Sequence, residues 1–328
     1  MARRQAARRG QDAGKRHGRR SRGAARAITG DDDGLDFWPF LLLASMEGLV
    51  QAAVLTLTAL GLSLVFGVMR VVNVAHGEFY MLGAVLAWWV TSLAGAAAPA
   101  WGFALALAVA PVIAGAVAWA ADRLVLRRIA GDAEATIVAT IGLLYVIQQT
   151  VLILYGPDPR PVAAPFAWRL QLPWFGYSGY NLFVIGAAAA LLLAVWFVLA
   201  RTRAGLVMRA AQFDPEIAQA FGIPIGRVQA AAFAAGAGLA AAAAVLVVPI
   251  RQAHYLMGQD ALLMSFIVVI IGGLGSLRGT VVAALTIGLA DGIVSVFFSP
   301  TLAKMISTLA VALVLVFRPQ GLFGARMR

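Results

Sequence analysis

The sequence predicts an all-α polytopic integral membrane protein with about eight or nine transmembrane helices, and three observations carry that reading. Of its 328 residues, 61% are hydrophobic and only 12% charged, against the roughly 25% charged residues of ordinary soluble domains. Several apolar runs approach the ~20 residues a helix needs to cross the hydrocarbon core. Their Leu, Ala and Gly content suits helices, because barrel strands appear as short segments of alternating polarity. The chain has no cysteine, which excludes disulfides, thiol catalysis and Cys-ligated zinc.

Residues 1–36 carry ten of the 26 Lys and Arg and five of the 15 Asp and Glu, with no apolar period. That composition predicts a disordered basic arm, read as a solvated tail or as an over-extended start with Met46 as a second initiation point. The remaining body is only +6. Its charge reads as loop arginines that set membrane orientation, and nucleic-acid binding does not follow from it.

From Phe37 the permeating pattern is hydrophobic, with apolar stretches at 37–69, 79–98, 101–121, 136–155, 181–200, 229–250, 262–275, 279–298 and 302–317. Gly272, Gly273, Gly275 and Gly279 crowd one junction, which predicts close helix packing or a broken, re-entrant element there. The tight clusters around Gly236, Gly238 and Ala240 to Ala244 also read as packing surfaces. If the segments around Arg70, 122–134, 201–227, Arg278 and the C-terminus lie on one side, they hold 12 of the body's 16 basic residues, leaving Arg160, Arg169, Arg251 and Lys304 on the other. The positive-inside rule then places that side, and the C-terminus, in the cytoplasm. Nine crossings counted back from there put the basic arm outside, so either one stretch is re-entrant or the arm is not native.

Two loops stand out. Residues 156–180 contain five prolines with Trp168, Trp174, Tyr177 and Tyr180, as expected of an irregular outer segment ending in an aromatic belt. Residues 201–228 form an inner loop in which Asp214 reads as an N-cap, Pro215 as the first helical position, Glu216 as a first-turn acid, and Gly222 and Pro224 as stops. Such a capped short helix is either a docking element or a connector on the membrane surface.

The stretch Gly67 to Gly83 sets Arg70, Asn73, His76 and Glu78 between apolar runs. Ionisable groups there cost on the order of 2.5–3.5 kcal/mol each, so they mark a pathway, a partner or an interface. Asn73, His76 and Tyr80 fall on one helical face and form a candidate translocation path. A structural reading stands beside it, in which Asn73 caps a helix starting at Val74 and Glu78 complements its dipole. Glu47, Gln51, Gln148, Gln149 and Asp291 are further polar groups at membrane depth. No phosphate-binding loop and no zinc-binding helix motif occurs, so neither nucleotide hydrolysis nor metal catalysis is expected of this chain.

Four blocks in fixed order, GLSLVFGVMRVVNVAHGEFYMLGA, RAGLVMRAAQFDPEIAQAFGIPIGRVQ, IGGLGSLRGTVVAALTIGLADG and FRPQGLFG, resemble the integral-membrane permeases of branched-chain amino acid ABC importers. The resemblance covers roughly Phe37 to Phe323, leaving 324–328 as a tail, and is narrowest with the shorter of the two permease subunits. It implies a permease domain over 37–323 in the bacterial inner membrane, paired with a second permease subunit, two cytoplasmic ATPases and an extracytoplasmic substrate-binding protein. It also implies that this chain holds no cofactor, ATP and Mg belonging to the ATPases, and that the substrate is a branched-chain amino acid or a related small amino acid, amide or urea. In ABC importers a short cytoplasmic helix of the permease docks on the ATPase, and that role falls on Arg209 to Gly222, including Arg209, Asp214, Glu216 and Gly222. The rival from another class is an ion-coupled secondary transporter in which His76, Glu78 or Asp291 carries the proton.

Overall fold

The computed structural model describes residues 33–95, 98–129, 131–318 and 321, with side chains from Phe37 onward. Most of the basic arm and the 324–328 tail lie outside the described residues. Among the described residues eleven α-helices follow in order, with a short 3-10 turn at Leu126–Ile129: α1 (Asp33–Met69), α2 (His76–Ala94), α3 (Pro99–Leu124), α4 (Ala133–Tyr155), α5 (Gly179–Arg201), α6 (Arg203–Phe213), α7 (Pro215–Ala220), α8 (Ile225–Val247), α9 (Met257–Gly272), α10 (Leu277–Phe297) and α11 (Pro300–Phe317). Strands β1 (Arg169–Gln171) and β2 (Gly176–Ser178) pair antiparallel between α4 and α5, so the proline-rich loop contains a small hairpin where an irregular segment was expected.

Local signals set many of these ends. The side chains of Asp132, Thr202, Asp214, Ser276 and Ser299 each accept a hydrogen bond from a backbone N–H in the first turn of the helix that follows. Those bonds satisfy donors that have no partner inside the helix. Proline opens α3, α7 and α11, where its fixed φ fits and no N–H is missed.

The chain falls into two compact units, residues 1–43 and 44–328. In the first, the rings of Phe37 and Trp38 meet edge to face at 5.7 Å. The second holds the bundle. Its centre is α8, whose Ala240 to Ala244 are all buried and which packs chiefly on α3 and α2. Small side chains let these backbones approach closely, the main source of helix association in lipid. A second cluster joins Ala59 and Leu62 of α1 to α9 and α10.

The outer faces are apolar instead. Leu193, Trp196 and Phe197 on α5, and Met305, Leu309, Leu313 and Val316 on α11, are exposed. Seven helices among the described residues are long and apolar enough to cross a membrane, and each of the nine apolar stretches overlaps one helix. An apolar rim around a small-residue core is what lipid solvates, and this is a multi-pass membrane protein.

The expected interruption at Gly272–Gly279 takes a different form. Gly273 and Gly275 adopt φ of 101° and 76° and turn the chain between α9 and α10, and Gly275 also packs on α1, where a Cβ would lie 3.3 Å from the Gly67 Cα. Gly272 and Gly279 remain a packing pair, since a Cβ on Gly272 would lie 2.6 Å from the Gly279 carbonyl. The true breaks lie at 70–75 and 248–256. His76 Nε2 sits 2.9 Å from the carbonyl of Thr58, eleven residues before the end of α1 and so about 16 Å back along it. Segment 70–75 therefore re-enters the bundle before α2 begins. From the other end, 248–256 returns from α8 to the same level, where Gly258 of α9 lies against Gly77 of α2.

Candidate functional site

Three parts of the bundle carry polar chemistry. The first is the turn into α2. Val74 donates its N–H to Thr140 Oγ1 of α4 at 3.3 Å, and Ala75 donates to Asn73 Oδ1 at 3.0 Å. These bonds delay the helix to His76, with Ala75 as N-cap, so Asn73 shapes the preceding turn and does not cap a helix starting at Val74. Asn73, His76 and Glu78 are all buried. The partner of His76 Nε2 is a carbonyl, which requires the proton on that nitrogen and leaves Nδ1 as a bare acceptor. Asn73 Nδ2, His76 Nδ1 and Glu78 Oε2 have no hydrogen-bond partner among the described residues.

Backbone contact fixes the register of this turn. A Cβ on Gly77 would fall on the carbonyl oxygen of Gly258, and one on Gly258 would fall on that of Gly77. Two helix starts thus abut inside the bundle, as broken helices do in transporters.

The second part is an open cleft of about 130 Å³ beside this junction, walled by α1, α2, the 248–256 segment, α9, α10 and α11. Tyr80 reaches it from the α2 turn, so the predicted stripe of Asn73, His76 and Tyr80 divides between packing and cleft. Gln51 and Asp291, singled out in the sequence, also line it. So do Arg251, His254, Asp260 and Lys304, which sequence reasoning did not select. Arg251 and Lys304 read there as loop cations on the less basic side, with Arg160 and Arg169. Lys304 Nζ donates to Asp260 Oδ2 at 3.0 Å, joining the starts of α11 and α9. Glu47 stands apart, accepting from Asn181 Nδ2 at 3.2 Å. Gln148 is buried and Gln149 exposed on α4.

The third part is the α6–α7 end. Asp214 Oδ1 accepts from the N–H groups of Glu216 and Ile217 at 3.0 and 2.9 Å, Pro215 opens α7, and Gly222 leaves it with φ 81°. Arg209 is exposed on α6. Phe213 and Phe221, at either end of the short helix, are 87% and 83% exposed, and Ile217 between them 56%. An apolar face of that size on a polar connector marks a contact surface.

This end is wired to both junctions. Arg70 donates from Nη2 to the carbonyls of Gln212 and Phe213 at 3.3 and 3.2 Å. Gln212 Nε2 donates to the carbonyl of Gly275 at 2.9 Å. The C-terminus of α6 therefore holds the end of α1 on one side and the α9–α10 turn on the other.

A family model described as the branched-chain amino acid transport system permease component matches residues 45–316. The chain is 28% identical over 295 residues to the high-affinity branched-chain amino acid transport system permease protein BraD of Pseudomonas aeruginosa, covering 85% of this chain and 94% of that one. It is 26% identical to the LivH proteins of Salmonella typhimurium and Escherichia coli, which bear the same description, over 87% of this chain and 96% of each of theirs.

Proposed function

The chain belongs to the permease-component family of branched-chain amino acid transport systems, and on that footing we propose that it works as one permease subunit of an ATP-driven importer. Its substrate is a branched-chain amino acid or a closely related small amino acid. It forms the translocation path with a second permease, receives substrate from an extracytoplasmic binding protein, and is driven by two ATPases that carry the ATP and Mg. The α6–α7 end, with 201–228, faces the cytoplasm of the bacterial inner membrane together with the C-terminus, in keeping with 12 of the body's 16 basic residues on that side.

The observation that carries this reading is the double tie of α6, through Arg70 to the α1–α2 turn and through Gln212 to the α9–α10 turn. A docking helix can drive alternating access only if its displacement is felt where the path opens and closes. Nucleotide can shift that equilibrium only by its differential affinity for the two states. Here the re-entrant α1–α2 turn and the α9–α10 turn both hang from the end of one helix.

Replacing Phe221, which is exposed beside the capped helix, by Asp tests the assignment. Expected is loss of ATPase co-purification and at least tenfold slower ATP-driven leucine uptake in proteoliposomes, with the second permease still bound. ATPase association and uptake at the unmodified level would overturn it, as would uptake by the chain under an ion gradient with no ATPase present.

A further inference from the structure

Charges in an apolar bundle are expensive, and a structural charge is normally neutralised by a partner. Two ion pairs do this among the described residues: Lys304 with Asp260 at 3.0 Å, and Arg127 with Asp122 at 3.9 Å. Arg251, which is exposed, and Asp291, which is half-buried, form none among the described residues, and both line the same cleft. Asp291 lies within electrostatic reach of Arg251 and Lys304. Tyr80 adds a second observation. The residue is only 6% exposed and lines the cleft, and its hydroxyl is not among the buried polar atoms sealed away without a partner. A hydroxyl that opens on a cleft can donate to or accept from a ligand there.

We propose that this cleft is a recognition site for a free amino-acid zwitterion, with Arg251 receiving the carboxylate, Asp291 the ammonium group, and the Tyr80 hydroxyl hydrogen-bonding the bound headgroup. The assignment rests on the importer reading and names where in this chain the substrate is read. Charge balance selects the ligand class. A simple anion would satisfy Arg251 but face Asp291, a simple cation would meet the reverse, and an uncharged amide would gain an ionic contact with neither. Only a ligand bearing both signs matches both. Val54, Leu55, Met264 and Ile287 supply an apolar wall for an aliphatic side chain, with Met264 the adaptable member. The volume of about 130 Å³ is well below the roughly 300–1,000 Å³ of drug-sized pockets and suits a small solute.

The test uses the complete importer in proteoliposomes, with leucine-loaded binding protein outside and ATP supplied to the ATPases. Arg251→Gln and Asp291→Asn are expected to lower leucine uptake at least tenfold at equal recovery of assembled complex. Arg251→Lys and Asp291→Glu, which keep the charge, are expected to recover it to within threefold of the unmodified complex. A second measurement covers the case in which the neutral variants fail to assemble. Because the chain has no cysteine, Ala261→Cys places a unique thiol on the cleft wall, and leucine should slow its labelling by a thiol-reactive sulfonate at least threefold during turnover. Uptake within twofold of normal in both neutral variants overturns the site, as does equal labelling with and without leucine. If the unmodified complex imports leucine in those experiments, the importer reading survives and only the site fails. If the unmodified complex does not import under ATP, the importer reading itself fails.

Discussion

Arg70 makes a prediction in which stability and transport part company. It is the one non-glycine residue with positive φ among the described residues, at 55°, a conformation that costs an L-residue about 1 kcal/mol or more. Its guanidinium donates to the Gln212 and Phe213 carbonyls at 3.3 and 3.2 Å from an exposed position. Two long, solvated bonds contribute together about 1 kcal/mol, toward the low end for hydrogen bonds from charged donors. Arg70→Ala keeps the strained backbone and loses both bonds, a destabilisation of about 1 kcal/mol. Arg70→Gly loses the same bonds but relieves the strain, so its net cost is about zero. If the bonds serve only the fold, the glycine variant works normally and the alanine variant is impaired in proportion to its instability. If they couple α6 to the α1–α2 turn, both variants lose transport equally, because a coupling free energy of 1–2 kcal/mol corresponds to about a 5- to 30-fold effect. Arg70→Lys retains the charge without the planar fork and falls between. The assay is ATP-driven leucine uptake set beside thermal stability by fluorescence-detected size exclusion. Wild-type uptake in Arg70→Gly, or uptake that ranks Gly above Ala as stability does, would refute the coupling argument.

Two further predictions concern the re-entrant segments. Gly77→Ala and Gly258→Ala each drive a methyl into opposing backbone, which cannot move aside as a flexible side chain can. Each should cost about 1–3 kcal/mol by overpacking, and the double variant should cost less than the sum because one contact is lost twice; melting of both single variants at the normal temperature would show that the helix starts do not meet. Arg160 is stacked over Trp88 and Tyr155 at 4.3 and 4.7 Å, donates to the Tyr155 carbonyl at 2.6 Å, and pairs its backbone with Ala253 in both directions at 2.9 Å. Arg160→Ala should lose about 2 kcal/mol of cation–π and hydrogen-bond stabilisation and open residues 248–256 to limited proteolysis, whereas unchanged cleavage would mean that the segment is held by its backbone pairing alone.

The parts of this structure that were legible in the sequence are those decided by neighbours in the chain. Asp214, Pro215, Glu216 and Gly222 spell out a capped helix within nine residues, and each takes the predicted place. Ala240 to Ala244 announced a backbone-close helix and are buried in the core. At Asn73 the local rule lost to a distant group, because Thr140, on a helix 66 residues on, takes the Val74 N–H and shifts the helix start to His76. The cleft was less legible still. Arg251 and Lys304 are separated by more than fifty residues and each looked like an ordinary loop cation. They share a cavity because 248–256 turns back into the bundle, and hydropathy cannot register a segment that re-enters without crossing.

The ties of the α6–α7 end also give the docking proposed for it a route to a cleft that it does not touch. The cleft is walled by α1 and α2 on one side and by α9 and α10 on another. At the α6 end, Arg70 belongs to the α1–α2 turn and the Gly275 carbonyl to the α9–α10 turn, so both pairs of walls are fastened to the same few residues of α6. Between those fastenings and the cleft, the pairs touch where α2 and α9 begin, through Gly77 and Gly258, with no side chain between them to absorb displacement. Packed backbone transmits strain because it has no rotamers to yield. A shift of α6 therefore reaches the cleft through two routes, and the Gly77–Gly258 contact is one of the places where they meet. Loosening that contact should weaken the coupling of the cleft to the α6–α7 end even when the ties at Arg70 and Gln212 are intact.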